Sequence, residues 1–320
     1  MCKVTVSVYE FFKKFPNQES ARIHIEKQRW NGEPRCPHCG EVKRVQVRKV
    51  DGYFRCLACK QDFTVRTGTI FERSHVPLHK WLYAIYLVVT ARKGISSLQL
   101  SKEIGVTQKT AWFMLQRLRE ACGNDRNDDN DGQGGSSSGD KFLRGIVEVD
   151  ETYIGGKEMN KHESKKLKAG RGTVGKTAVI GVRERGGKVR AMILKNTSAA
   201  AIQAFVRSMV GANTILCTDE HASYRGMDEY DHRPVNHSAK EFVDGMAHTN
   251  SIESVWALLK RGFYGVYHSF SAKHLQRYIE EFTFRLNEGN CRVHSYDRMD
   301  AMVKKAFGTS ITYRALIATA

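Results

Sequence analysis

The spacing of apolar residues changes character along the chain and divides it into stretches. From residue 78 to 122 the apolar positions recur at helical intervals. Leu78 to Arg92 is apolar on most sides and reads as a mostly buried helix that closes at Lys93-Gly94. A second helix is expected from about Ser97 to Ile104, capped by Ser96 or Ser97 and stopped at Gly105. Thr107 then caps a third helix, with Trp112, Leu115 and Leu118 on one side and Gln108, Lys109, Gln116, Arg117 and Arg119 elsewhere. Helix, glycine-containing turn, helix is the pattern of a helix-turn-helix, whose last helix would read a DNA groove through residues such as Lys109 and Arg117. An ordinary three-helix packing unit leaves the same pattern.

Residues 123 to 140 contain no large apolar side chain, and five of them are aspartates. Nothing there can offset the entropy of ordering the backbone, so a flexible tether is expected. Beyond it the period shortens to that of strands. Gly145 to Ile154 reads as one strand, and a loop rich in Lys and Gly (Lys157 to Lys176) follows. Strands at Thr177 to Arg183 and Lys188 to Leu194 come next, joined by Glu184-Arg-Gly-Gly187. Ser198 caps a helix through about Met209, Thr214 to Thr218 is a fourth strand, and a short strand lies near Arg233 to His237. A long helix is expected from about Thr249 to Phe263 and a final one from Ala272 to Leu286, with Leu275, Tyr278, Ile279, Phe282 and Leu286 at core spacing. Three strands, a helix, a strand and then helices make an α/β order with one mixed sheet.

Four of the eight cysteines fall within 24 residues, as Cys36-Pro-His-Cys39 and Cys56-Leu-Ala-Cys59. Two residues between thiols let a tight turn aim both sulfurs at one ion, and two such knuckles complete a tetrahedron. Gly40 supplies a turn residue able to adopt positive φ after the first knuckle. With short strands at Val45-Gln46-Val47 and Tyr53-Phe54, the region reads as a zinc ribbon, and a tetrathiolate leaves no open coordination position, so its Zn²⁺ is structural. A redox pair is the competing reading. Eight Lys or Arg lie between Arg35 and Arg66 against three acids, so the ribbon is expected to touch a phosphate backbone. The expected domains are residues 1–72 with the ribbon at about 33–66, 73–122 with the helix-turn-helix, a linker at 123–141, and 142–320.

Composition narrows the function. In 320 residues, 41% hydrophobic and 10% aromatic content exclude a wholly disordered chain. Lys and Arg number 51 against 34 Asp and Glu, a net charge of +17 that favours a polyanionic partner, either nucleic acid or an anionic membrane surface. The longest apolar run, Trp81 to Val89, is too short to span a bilayer, which needs about 20 residues. The opening residues lack a secretion signal, and no basic amphipathic helix stands out, so a soluble cytoplasmic protein without a membrane partner is expected.

Against this basic background, two strands end in acids. Ile146-Val147-Glu148-Val149 delivers Asp150, followed by Glu151, and Thr214 to Thr218 delivers Asp219, followed by Glu220. Strand ends at a sheet edge hold charge rigidly where ligands of α/β folds gather, and two such acids ask for a cation. On the long helix, Ile252, Val255, Leu259 and Phe263 fall within about 80° and form a buried stripe. Glu253 and Lys260 project together beside it, with Asn250 a little further round. His162, His221, His232, His237 and His248 match no common ligand spacing, and no second metal site is assigned to them.

Three blocks carry a specific resemblance: Val147-Glu-Val-Asp-Glu-Thr-Tyr-Ile-Gly-Gly-Lys157, Cys217-Thr-Asp-Glu-His-Ala-Ser-Tyr224, and His248-Thr-Asn-Ser-Ile-Glu-Ser-Val-Trp-Ala-Leu-Leu-Lys-Arg-Gly262. The chain resembles bacterial insertion-sequence transposases of the DDE type, in the subgroup with an N-terminal zinc ribbon and helix-turn-helix. The resemblance runs from about Phe12 to Asn287. It implies an RNase H-like catalytic domain in which Asp150 and Asp219 match the first two acids, Glu253 the third, and Lys260 the basic residue seven positions later. Some members of the subgroup carry Asn as the third residue, so Asn250 is the alternative. The implied chemistry is Mg²⁺- or Mn²⁺-dependent phosphodiester hydrolysis and then strand transfer, with the cation on Asp150, Asp219 and Glu253 and a phosphate on Lys260. The implied partners are double-stranded DNA, at element ends and target, and further copies of the chain assembled on it, bound to the nucleoid. Lys161, Lys165, Lys166 and Lys168 make the Lys/Gly loop a candidate DNA clamp or a solvated loop. A nuclease that does not join strands and an inactive DNA-binding regulator are the alternatives to a transposase.

Overall fold

The computed structural model describes residues 4–123, 142–156, 162–167, 172–235, 248–289 and 293–318, apart from the side chain of Lys165. They form two compact units, one of residues 1–131 with 288–320 and one of residues 132–287. Lys168, His237 and residues 124–141 of the expected tether lie outside the described residues.

The first unit begins with α1 (Val8–Lys14) and α2 (Gln18–Trp30), two helices that the apolar periodicity did not single out. Ser7 and Glu10 close a capping box at the start of α1, and the Asn17 side chain accepts from Ser20 N at the start of α2. Strands β1 (Val45–Val47), β2 (Tyr53–Cys56) and β3 (Asp62–Thr64) make the antiparallel sheet of the ribbon. Trp30 at the end of α2 meets Phe54 and Phe63 edge-on, with ring centroids 5.1 and 5.8 Å away. The helices α3 (Leu78–Thr90), α4 (Ser97–Ile104) and α5 (Gln108–Cys122) lie where expected, with Ser96 and Thr107 as caps. Gly105 sits at φ 63°, a left-handed turn that glycine adopts without strain.

The second unit is built on one five-stranded mixed sheet. Strands β4 (Ile146–Ile154), β5 (Thr177–Glu184) and β6 (Val189–Ile193) are joined antiparallel. After α6 (Ala199–Met209) come β7 (Ile215–Asp219) and β8 (Asp231–Val235), which extend the sheet parallel from β4 in the order β6-β5-β4-β7-β8. This is the mixed sheet of an RNase H-like domain. Pro234, which has no N–H to donate, is tolerated because β8 is the edge strand. Strand alternation sends Val147 and Val149 toward α6, while the other face packs on α7 (Asn250–Gly262) and α8 (Leu275–Asn287). A five-residue π-helix, Phe263–Tyr267, follows α7, and a short 3₁₀ turn, Ala272–His274, precedes α8.

Two expectations need correction. The second unit does not run to residue 320. Two further helices, α9 (Ser295–Lys305) and α10 (Tyr313–Ile317), belong to the first unit. There α9 packs on α2, α3 and α5, burying Met299, Met302 and Val303. Arg298 donates to Val89 O at 3.0 Å, and Asp300 bonds His24 and Gln28 at 2.8 and 2.9 Å. The second correction concerns Arg117, expected on a DNA-reading face. The structure encloses α5 from Met114 to Arg119, so Arg117 is only 7% exposed and donates to Ile70 O and Glu72 O at 2.7 and 2.8 Å. A guanidinium used up on two buried carbonyls fastens the chain before α3 and cannot reach a phosphate.

Candidate active site

Among the described residues, two clusters of ligand-type side chains emerge. In the ribbon, Sγ atoms of Cys36, Cys39, Cys56 and Cys59 lie within 4.8 Å of one another, with Cys36–Cys59 and Cys39–Cys56 each 3.6 Å apart. A tetrahedron of Zn–S bonds of about 2.3 Å needs sulfurs roughly 3.8 Å apart, so the four thiols fit one zinc ion. The knuckles are built alike: Cys36 N donates to Glu41 O and Cys56 N to Gln61 O, at 2.9 and 3.0 Å. Each turn has one left-handed residue, Gly40 (φ 77°) and its counterpart Lys60 (φ 57°). The amide of Cys59 leads in drawing the Cys56 thiol down to about 7.

The second cluster stands where the end of β7 meets the middle of β4: Asp219 ends its strand as expected, but Asp150 does not, because β4 stays paired with β5 through Ile154. The last register pair between them is Glu148 with Cys217, so β4 runs on past β7 and Asp150 and Glu151 flank its end, where Asp219 sits. Asp150, Glu151 and Asp219 each offer a carboxylate oxygen within 4.8 Å of the others. Burial comes first in pushing Asp150 up to about 7, followed by the charge of Glu151 and, more weakly, of Asp219 and Glu253. The Glu151 amide, donating to Asp150 Oδ1 at 2.8 Å, pulls the other way. Crowded acids that repel one another in this way are a hard-oxygen donor set for a divalent cation.

From the sequence Glu151 was only the residue that follows Asp150, and on a strand that residue points to the opposite face. It does point away from α7, and the fully buried Tyr224 holds it there, donating its hydroxyl to Glu151 Oε1 at 2.7 Å. Burial dominates in raising the Glu151 carboxyl, with Asp219 adding to it. The block Asp219 to Tyr224 thereby gains a physical reading. Asp219 Oδ1 accepts from His221 N at 3.1 Å, His221 Nδ1 caps a 3₁₀ turn through Ser223 N at 3.3 Å, and that turn delivers Tyr224 to Glu151.

Glu253 is exposed on the first turn of α7 and stands outside the 4.8 Å cluster, although its charge reaches Asp150. Thr249 Oγ1 donates to Glu253 Oε1 at 3.1 Å. Asn250 is the first residue of α7 and Lys260 lies in its last turn, both exposed. In the first unit, Lys109 is exposed at the start of α5, its ammonium 4.7 Å from the centre of the Tyr313 ring. Lys166 pairs with Glu163 at 2.7 Å within its own loop. Nothing is placed for Lys168 or for the side chain of Lys165.

Comparison with known proteins adds a second line. A family described as ISXO2-like transposase domain matches residues 142–287, and one described as transposase zinc-ribbon domain matches residues 16–62. An uncharacterised protein in transposable element ISH50 of Halobacterium salinarum is 30% identical over 287 residues, 85% of this chain and 92% of that protein. A transposase-like protein of Haemophilus influenzae is 26% identical over 107 residues, 33% of this chain and 85% of that protein. Among solved structures, a simian T-cell lymphotropic virus intasome in complex with PP2A regulatory subunit B56 gamma matches at TM-score 0.27 and 13% identity, covering 57% of this chain and 63% of that one. The Mos1 transposase paired-end complex with left transposon end matches at TM-score 0.20 and 15% identity, covering 65% and 75%. Among the described residues, no helix is long and apolar enough to cross a membrane.

Proposed function

Because this chain belongs to the ISXO2-like transposase family, we propose that it binds the ends of an insertion sequence and catalyses metal-dependent cleavage and strand transfer of DNA. The observation that carries this reading is the convergence of Asp150, midway along β4, and Asp219, at the end of the adjoining β7, with Asp150 pushed up to about 7 by burial and neighbouring acids. Glu253 completes the set. Its charge already bears on Asp150 from α7, and a carboxylate offsets divalent charge better than the amide of Asn250. These acids would hold Mg²⁺ or Mn²⁺, which when bound supplies charge relief at the phosphate and polarisation of the attacking oxygen.

The chain's own residues do the rest. Tyr224 keeps Glu151 on the α6 face of β4, and the His221 amide fixes the Asp219 carboxylate. Lys260, two turns along α7 from Glu253, holds a phosphate beside the scissile bond. Water displaces the element's 3′-oxygen at phosphorus, and the exposed 3′-hydroxyl then displaces a target oxygen in the same manner. Bond breaking and making balance in each step, so neither a covalent enzyme intermediate nor ATP is required. Lys109, exposed at the start of α5, contacts the bound end, where recognition helices read DNA. Lys165, Lys166 and Lys168 remain candidate phosphate contacts in their loop, and several copies of the chain act together on DNA.

Incubating the purified protein with Mg²⁺, duplexes carrying the inverted repeats that flank its coding region, and a second DNA segment tests this directly. Joined products are expected. Cleavage without joining would leave a nuclease, and end binding without either would leave a regulator.

A further inference from the structure

Two residues before Asp150, on the same face of β4, lies Glu148, a carboxylate with no exposed surface. Burying such a group is costly unless its lone pairs are taken up. Here they are. Glu148 Oε2 accepts from Ser251 N at 2.8 Å, Ser251 Oγ at 2.7 Å and Ile252 N at 3.0 Å, all in the first turn of α7. Its Oε1 accepts from Arg185 Nε at 2.8 Å and lies 3.2 Å from His248 Nδ1. Burial pushes the Glu148 carboxyl up, but the bonds from Arg185, Ser251 and Ile252 together hold it below the usual range.

The N-cap residue of α7, Thr249, makes no side-chain capping bond. Glu148 takes over that task from a strand 103 residues away, satisfying two amides at the positive end of the helix. Two further contacts fasten α7 to β5. Arg183 donates to Ser251 O at 2.8 Å and to Ser254 Oγ at 3.2 Å. Gly181 leaves the space that Trp256 fills, since a Cβ there would stand 2.6 Å from the indole.

We propose that Glu148 is a positioning residue: a helix cap supplied by the strand of Asp150, which locks α7 in the place from which Glu253 reaches the acids. This rests on the reading that Asp150 and Glu253 share a cation. Glu148 itself is spent on α7 and Arg185 and touches no reacting atom.

The test uses the full chain with its zinc, titrated with Mn²⁺, alongside amide hydrogen exchange. Glu148→Gln keeps the volume and loses the charge. It is expected to speed exchange at Ser251, Ile252 and Glu253 and to weaken Mn²⁺ about tenfold, as loss of a residue supporting a metal ligand does. Glu253→Gln should weaken Mn²⁺ by a similar factor, and the double variant no further than Glu253→Gln alone. Ser251→Ala, which removes only the 2.7 Å hydroxyl bond, should move both readouts the same way by about two- to threefold; it carries the test if the glutamine variant does not fold. Faster exchange with unchanged Mn²⁺ affinity, or additive losses in the double variant, would overturn the positioning role while leaving Glu253 as ligand. Unchanged Mn²⁺ affinity in Glu253→Gln alone would instead overturn the shared-cation reading, and this proposal with it.

Discussion

In the ribbon, four sulfurs converge from two tight turns to within 4.8 Å of one another, two of the pairs at 3.6 Å, and the chain supplies every corner of a tetrahedron. Where β7 ends beside the middle of β4, three carboxylates converge within 4.8 Å, one of them pushed up to about 7 by burial and its neighbours. Both clusters draw on β-strands and the turns beside them. The difference lies in closure: soft ligands in a complete shell make a staple, whereas hard ligands with unrelieved charge make a site that still has room for substrate oxygens. The staple sits in the unit that carries α3 to α5, and the open set sits in the other unit. On the proposed reading, one chain keeps a metal for shape apart from a metal for chemistry.

The contrast breaks most sharply at the acids. Asp150→Ala and Asp219→Ala are each expected to lower strand transfer by more than about 10³-fold. End binding, measured by gel shift, should stay within about twofold. If binding collapsed along with joining, the two aspartates would be structural and the contrast would fail. Asn250→Ala should cost far less activity than Glu253→Gln, and the reverse order would make Asn250 the third ligand.

Next in size comes the staple. Stripping zinc with a chelator, or Cys56→Ser, is expected to lower end binding by about 10²-fold, because structural zinc supplies folding free energy to its module. Mn²⁺ affinity at the carboxylates should stay unchanged. A parallel loss there would mean that the two clusters are not separate devices.

An effect of similar size concerns pH. Asp150 keeps its proton to about pH 7 in the metal-free fold, against an ordinary value of 3.8. Between those values the folded chain binds the extra proton, so its stability falls as pH rises from about 4 to 7 and then levels off. Asp150→Asn removes that slope. Calorimetry on the metal-free protein should show it more stable than wild type at pH 8, by on the order of 2–4 kcal/mol, with the gain gone by about pH 4. An equal Tm at pH 8 would show that the acids are not crowded.

The smallest effects separate two basic residues of α5. Lys109→Ala should reduce the salt slope of end binding by roughly one charge, about 0.9 in log–log slope. Arg117→Met should leave that slope alone and lower stability by about 2 kcal/mol, since it orphans the Ile70 and Glu72 carbonyls.

These residues also show how much of the molecule could be read in advance. The four cysteines and the two aspartates behind short apolar runs were legible because each motif is complete within a few residues, although β4 runs on past Asp150 where a strand end was expected. The positions of α3 to α5 and the succession of strands and helices in the second unit followed from period alone, whereas the sheet order β6-β5-β4-β7-β8 needed the fold. Arg117 was misread because a helical period marks one buried side, whereas the packing of α5 buries its later turns all round. Glu148 and Glu151 stayed silent because their partners, Ser251 and Tyr224, lie 103 and 73 residues away. The return of α9 to the first unit was hidden for the same reason, since only the fold brings Asp300 to His24.

The claim that Asp150 and Asp219 share a divalent cation is tested most directly by counting that cation. Electron paramagnetic resonance of the zinc-loaded full chain titrated with Mn²⁺ should show saturable binding in the wild type that is lost in both Asp150→Ala and Asp219→Ala, with thermal stability retained. Undiminished Mn²⁺ binding in either variant would contradict the account.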